Sequence, residues 1–348
     1  MQYVALCAGL ILLVVGADVL VRSAAALAAR LRVPPLLIGL TIVAYGTSAP
    51  EMVVSATASA HGQPDIALGN ALGSNTFNVL LILGLSACIT PLVISAQLVR
   101  TDVPVMIGFS LLVWMLAGGG ALTHTDGALL LTALGAYTAL QIVQGRRAAR
   151  ATAAQPMRGH AVVDIVLLVA GFGLLVLGSR WFLEGAVTIA RMLGVSELVI
   201  GLTIVAAGTS VPELATSIIA ALRGARDIAI GNVVGSNAFN LTGVLGVACL
   251  FSDNGLPVAA SSLHFDMPVM FAVAFACLPV FFKNNVIARW QGCVFVAYYL
   301  CYVVYLILDA KGHDAIRLYG LTLVYFAFPI TALTFGTIAV QRLRAFRD

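Results

Sequence analysis

This chain contains one segment twice, and that repetition constrains its fold more than any other feature. GLTIVAYGTSAPE at Gly39–Glu51 returns as GLTIVAAGTSVPE at Gly201–Glu213, 162 residues further on. At the same offset DIALGNALGSNTFN (Asp65–Asn78) returns as DIAIGNVVGSNAFN (Asp227–Asn240). Of the 40 positions from Gly39 to Asn78, 24 are identical to their counterparts without a gap. The fold must therefore use one supersecondary unit two times.

The solvent for this fold follows from composition. Hydrophobic residues make up 61% of the 348 and charged residues 10%, against about 25% charged in a typical soluble protein. Such a chain cannot cover a water-facing surface, so a polytopic helical membrane protein is expected. Apolar runs long enough to cross a bilayer fall near 3–29, 36–60, 66–90, 103–121 and 125–144, then 161–190, 198–222, 228–251, 265–282, 287–308 and 317–340. The N-terminus has neither a basic leader nor a small-residue cleavage site, so the first run reads as a span and not a signal peptide.

Each copy holds five runs, an odd number, so the second must enter the membrane upside down relative to the first. Inverted repeats build transporters, with the substrate site at mid-membrane where the copies meet. The expected architecture is all-α: a five-helix repeat over 1–145, a linker over 146–160, an inverted five-helix repeat over 161–310, and an eleventh helix with a basic tail over 311–348.

Basic residues set the orientation. Arg30, Arg32, Arg100, Arg146, Arg147, Arg150, Arg158, Arg223, Arg226, Lys283, Arg289, Arg342, Arg344 and Arg347 fall in connections on one side, whereas the other carries Arg191, Lys311 and Arg317. By the positive-inside rule the N-terminus is outside and the C-terminus cytoplasmic, in the cytoplasmic (inner) membrane. The net charge of +4 resides in these connections, and nothing in it points to nucleic acid. The six cysteines are scattered without a CxxC pair and read as small apolar packing residues.

The chemistry lies in the repeated segment. Gly46 with Pro50, and Gly208 with Pro212, fall near the middle of their runs. Proline removes a backbone donor and clashes one turn back, so both helices should break there. Breaks at this depth are tolerated only where they line a protein or water-filled cavity. Glu51 and Glu213 follow directly, and a carboxylate at mid-membrane costs about 2.5–3.5 kcal/mol on insertion scales. Ser48-x-x-Glu51 and Ser210-x-x-Glu213 also fit a capping box, but that reading leaves two carboxylates placed symmetrically in lipid unexplained.

Oxygen donors cluster nearby: Thr47, Ser48, Thr209 and Ser210 beside the glutamates, then Ser74 with Asn78 and Ser236 with Asn240 at a spacing of four that shares one helix face. Asn75 and Asn237 point elsewhere and read as interhelical hydrogen bonders. Gly69, Gly73, Gly231 and Gly235 read as packing glycines. An all-oxygen set disfavours zinc, copper and iron and suits calcium, which accepts six to eight oxygens in flexible geometry. Two carboxylates neutralise one calcium ion or two monovalent ions. Asp18 with Arg22, and Arg180 with Glu184, are spaced as local ion pairs.

At GTSAPE, GTSVPE and the two GSNxFN segments, the chain resembles the cation/calcium exchanger superfamily, above all the prokaryotic sodium/calcium exchangers. The resemblance covers about 300 residues and omits the eleventh run. It implies a ten-helix inverted pair whose first and sixth helices slide to alternate access. Glu51 and Glu213 are then the shared acidic ligands, joined by Thr47, Ser74, Thr209 and Ser236 and by the backbone oxygens of Ala44 and Ala206. Asn78 matches the family's central amide. Asn240 departs from relatives with aspartate there, including potassium-dependent exchangers, which argues against potassium coupling.

The function expected is secondary antiport of calcium against sodium. Proton-coupled calcium exchange is the alternative, although GTSxPE differs from the GNxxE-type pattern of proton/calcium exchangers. A cation channel and an intramembrane acid–base enzyme are more remote, and the chain shows no nucleophile–base pair or metal-binding histidines. No tightly bound cofactor is expected; calcium, sodium and, in the alternative, protons are cargo. The partners are inorganic cations and the bilayer, and nothing in the sequence sets an oligomeric state.

Overall fold

The structure, a computed structural model, describes residues 2–151, 161–281 and 286–313 together with Ile316 and Gly320. The eleventh apolar run lies outside the described residues. The chain is mostly helical, and the helices follow the repeat. The first copy comprises α1 (Gln2–Leu31), the half-helices α2 (Pro35–Thr47) and α3 (Ala49–Ala60), α4 (Pro64–Ile89), α5 (Leu98–Ala117) and α6 (His124–Ala151). The second comprises α7 (Ala161–Met192), the half-helices α8 (197–208) and α9 (Val211–Leu222), α10 (Arg226–Phe251), α11 (Ser262–Leu278) and α12 (Arg289–Ala310).

Among the described residues, seven helices are long and apolar enough to cross a membrane, and the bent pair α2–α3 makes eight. Two runs depart from the simple span: 36–60 and 198–222 are each divided into two half-helices. The helix of α11 runs on to Phe281 and matches α5 in length. The helix at the end of the first copy also continues to Ala151, into the stretch expected to be linker.

Two short antiparallel ladders reveal how the copies are related. β1 (Leu92–Val93) pairs with β4 (Val286–Ile287), and β2 (Ala121–Leu122) pairs with β3 (Leu256–Pro257). β1 follows α4 just as β3 follows α10, so β1 and β3 are equivalents. α5 separates β1 from β2, and each of those pairs with the non-equivalent strand of the other copy. Equivalent strands therefore sit at opposite ends of the molecule, as an inverted repeat requires.

Glycine controls how closely α1 and α7 approach. A Cβ at Gly9, Gly16, Gly171, Gly178 or Gly185 would lie within 3.0 Å of the facing helix. Close backbone approach through small residues is how helices associate in lipid, where no hydrophobic drive exists between them. Arg30 of α1 pairs with Asp164 of α7 at one end of this contact. Asp18 pairs with Arg22 at 3.1 Å, as the spacing predicts, and also with Arg223 just beyond α9. The matching expectation for Arg180 and Glu184 fails: both are exposed and, among the described residues, no ion pair joins them.

Candidate site at the helix breaks

Each broken helix turns at a serine. Ser48 has φ −84° and ψ 7°, Ser210 has φ −89° and ψ 9°, and α2 and α3 are bent by 43°. Both prolines follow in the first turn of the next half-helix, where a missing N–H costs nothing. The break thus falls two residues before the proline. Gly46 and Gly208 contribute by size: a Cβ on Gly46 would lie 2.1 Å from the Phe172 ring, and one on Gly208 would lie 2.7 Å from Leu183.

Both serines occupy N-cap positions, yet neither hydroxyl caps its helix. Ser48 Oγ instead donates to Glu213 Oε1 at 2.9 Å, and Ser210 Oγ donates to Glu51 Oε1 at 2.8 Å. The capping-box reading is thereby replaced by a crossed arrangement, in which each copy's serine holds the other copy's carboxylate. Glu51 and Glu213 are fully buried, each in the first turn of a half-helix, where the helix dipole favours negative charge.

Around this cross, Ser74 Oγ lies 3.0 Å from Ser210 Oγ, and Ser236 Oγ donates to the Ala44 carbonyl at 3.5 Å. Asn78 donates to Asn237 Oδ1 at 3.0 Å. Asn75 and Asn237 donate reciprocally to each other's backbone carbonyls at 3.3 and 3.4 Å, the interhelical role their spacing suggested. Ala206 opens the last turn before the second break.

At the cross and on the helices beside it, Glu51 Oε2, Glu213 Oε2, Asn75 Oδ1, Asn78 Oδ1 and both ends of the Asn240 amide are among the buried polar atoms without a hydrogen-bond partner among the described residues. Leaving such atoms unmatched costs about 1–3 kcal/mol each, and more for a charged group. Most are oxygens, which a cation satisfies. Among the described residues no three histidine, cysteine, aspartate or glutamate side chains cluster, so the donors around the two carboxylates are neutral.

Two residues passed over in the sequence hold the site in shape. Asn232 Nδ2 donates to the Glu213 carbonyl at 3.3 Å and to Ser217 Oγ at 3.0 Å, while its Oδ1 accepts from Thr47 at 3.1 Å. Asn70 mirrors it, donating to the Glu51 carbonyl at 3.1 Å and Ser55 Oγ at 2.9 Å and accepting from Thr209 at 3.1 Å. Thr209 thus directs its proton to an asparagine, and Thr47 has both the Asn232 amide oxygen and the Ala44 carbonyl, at 3.3 Å, as acceptors for its own. The signal available was an amide, identical in both copies, inside an apolar helix.

The symmetry breaks at one place. Cβ atoms on Gly231 and Gly235 of α10 would lie 2.9 and 2.4 Å from α2 carbonyl oxygens, whereas around their equivalents Gly69 and Gly73 of α4 nothing described lies within 4 Å. Val43 is fully buried, and its counterpart Val205 is 47% exposed. Half-helix α2 is seated on α10; half-helix α8 approaches α4 near the break, but among the described residues nothing of it lies against Gly69 or Gly73.

Broken helices, an inverted repeat and a buried pair of carboxylates among neutral oxygens define a membrane transporter of cations. The sodium/calcium exchanger protein family matches residues 1–143 and 163–308, and the chain belongs to it. CaxA of Alkalimonas amylolytica is 39% identical over 304 residues, spanning 84% of this chain and 95% of that one. The sodium/calcium exchanger MaX1 of Methanosarcina acetivorans is 32% identical over 345 residues, spanning 88% and 98%. The solved structure of the sodium-calcium exchanger NCX_Mj superposes with a TM-score of 0.76 at 34% identity, covering 87% of this chain and 97% of that one. The family is one of transporters, so the two carboxylates are not an enzyme's acid–base pair.

Proposed function

We propose that this protein exchanges calcium for sodium across the cytoplasmic membrane by alternating access, with the cations held between Glu51 and Glu213. The observation that carries the proposal is the crossed pair of serine–glutamate hydrogen bonds, which occupies one oxygen of each carboxylate and leaves the other unmatched in a buried site. Thr47, Thr209, Ser48, Ser210, Ser74, Ser236, Asn78, Asn240 and the Ala44 and Ala206 carbonyls complete an oxygen shell that calcium fills with one ion and sodium with more than one. Two carboxylates serving either cargo make occupancy mutually exclusive, and exclusion at a shared site is what couples two fluxes.

The unequal seating of α2 and α8 supports alternating access. With the N-terminus outside, α8 lies in the outer half of the membrane, so its looser seating on α4 marks the outward path to the buried site as the one that opens, while α2 on α10 closes the inward path. Residues 1–145 and 161–310 act in this reading as the two exchanging halves, joined by 146–160, with 311–348 peripheral.

The test is uptake of radioactive calcium into proteoliposomes loaded with sodium, with a proton gradient, or with neither. Uptake only with outward sodium is expected. Uptake driven by protons alone would transfer the coupling to the proton, and uptake without any counter-ion gradient would make the protein a channel. Glu51→Gln and Glu213→Gln are each expected to reduce exchange to the background of empty vesicles while the protein remains inserted and monodisperse. Normal exchange in both variants removes the site.

A further inference from the structure

We propose that Cys88 and Cys293 form a reversible dithiol–disulfide pair that staples the end of α4 to the start of α12. The sequence suggests that all six cysteines are packing residues; Cys249 and Cys277 are buried in keeping with that, whereas Cys7 is exposed and Cys301 partly buried. Cys88 and Cys293 differ. Their sulfurs lie 3.4 Å apart although 205 positions separate them in the chain, and among the described residues no other two cysteine sulfurs are in contact. A covalent disulfide needs about 2.05 Å, so the sulfurs stand in non-bonded contact.

The surrounding backbone fixes that meeting. Gly84 and Gly292 allow α4 and α12 to touch: a Cβ on Gly292 would lie 2.5 Å from the Gly84 carbonyl oxygen and 2.9 Å from the Cys88 nitrogen. The Cys88 thiol donates to the Arg289 carbonyl at 3.8 Å, and the Arg289 guanidinium donates back to the Ile89 carbonyl at 3.4 Å. The β1–β4 ladder ties together the connections just beyond both helix ends. Packing, polar contacts and a ladder thus hold the two helix ends in one register independently of the sulfurs.

Access is also sufficient. Cys293 is exposed and Cys88 half-buried, whereas Cys249 and Cys277 are buried. Both members of the pair sit within the terminal turn or two of their helices, next to the connections. The oxidant is a small-molecule disulfide such as oxidised glutathione. The Cys293 thiolate attacks one sulfur of that disulfide and expels one glutathione thiolate. The Cys88 thiolate then attacks the Cys293 sulfur of the mixed disulfide and expels the second. Two protein thiols become one protein disulfide, two electrons reduce the oxidant, and the departing thiolates take up the two protons.

Thiol counting on the purified protein tests this without any transport assay, so its result is separate from the exchange reading. A variant with Cys7, Cys249, Cys277 and Cys301 changed to alanine is incubated with oxidised glutathione, then labelled with a polyethylene-glycol maleimide. Loss of both labelled thiols in a monomeric band, reversed by dithiothreitol, is expected. Adding Cys88→Ser should leave Cys293 carrying glutathione and no internal link. The wild-type chain provides the second measurement, should the variant fold poorly: peptide mapping after oxidation should join the Cys88 peptide to the Cys293 peptide. Full labelling of both thiols after oxidation, or only glutathione adducts and cross-linked dimers, overturns the proposal.

Discussion

At the scale of single residues, the repeat made the acidic pair legible. Glu51 and Glu213 could be singled out because each follows a proline in a segment that occurs twice, and the structure joins them through Ser210 and Ser48. What the sequence concealed was the direction of those serines. A serine three residues before a glutamate looks like a local cap, and only the tertiary fold shows that it serves the other copy. Asn70 and Asn232 were overlooked because an asparagine after glycine carries no chemistry by itself. Their value lies in three hydrogen bonds to three different partners, which no spacing encodes. Asn232→Ala should weaken calcium affinity about 10-fold by freeing Thr47 and the Glu213 backbone, measurable as a raised half-saturating calcium concentration in the uptake assay. Asn232→Asp, which keeps the acceptor for Thr47, should lose less. Asn240 is the residue to alter for coupling, since both ends of its amide are unmatched. Asn240→Asp adds a third carboxylate and should change the sodium or potassium dependence of uptake; an unchanged ion profile would make that position a bystander.

At the scale of elements, most of the helices were readable from hydropathy and the breaks from proline, but two features were not. Among the described residues six π-helical turns occur in three equivalent pairs, Gly39–Val43 with Gly201–Val205, Asn78–Leu83 with Asn240–Val244, and Leu98–Asp102 with Ser262–Asp266. Such turns are adjustments of a helix to its neighbours and gather at functional sites; composition does not announce them. The second feature is the unequal seating of α2 and α8. Gly39–Ala44 and Gly201–Ala206 are the same six residues, yet one stretch is packed and the other stands off. Identical sequences in different surroundings describe a state, and a state is not written in a sequence. This supplies a sharp comparison. Gly235→Ala should destabilise the fold by about 1–3 kcal/mol, because its Cβ would meet the Leu40 carbonyl oxygen at 2.4 Å; a thermal melt checks this. Gly73→Ala meets no described atom within 4 Å in this state and should leave the melt unchanged. If α8 seats on α4 in the other half of the cycle, Gly73→Ala will nevertheless slow exchange. A Gly73→Ala variant with wild-type exchange would show that α8 never makes the contact α2 makes here.

At the scale of the whole molecule, inversion was derivable from an odd number of runs, and the crossed strand pairs bear it out geometrically. The sidedness of the opening is a separate matter, and two equivalent residues test it. Val205→Cys should react with a membrane-impermeant maleimide added outside right-side-out vesicles, and Val43→Cys should be protected from either face. Labelling of Val205→Cys only from the cytoplasmic face would reverse the orientation taken from the basic residues.

The crossed serines have one more implication, for descent. Ser48 and the carboxylate it serves are 165 positions apart, each in a different copy of an ancestral gene. After such a duplication neither copy can be inherited alone, because each keeps an atom that the other's acid requires. Substitutions at Ser48 should therefore track those at Glu213, and not at its near neighbour Glu51, across descendants. A lineage that divides the halves into two polypeptides must produce both in the same cell, and capture of an ion then becomes the report that they have met.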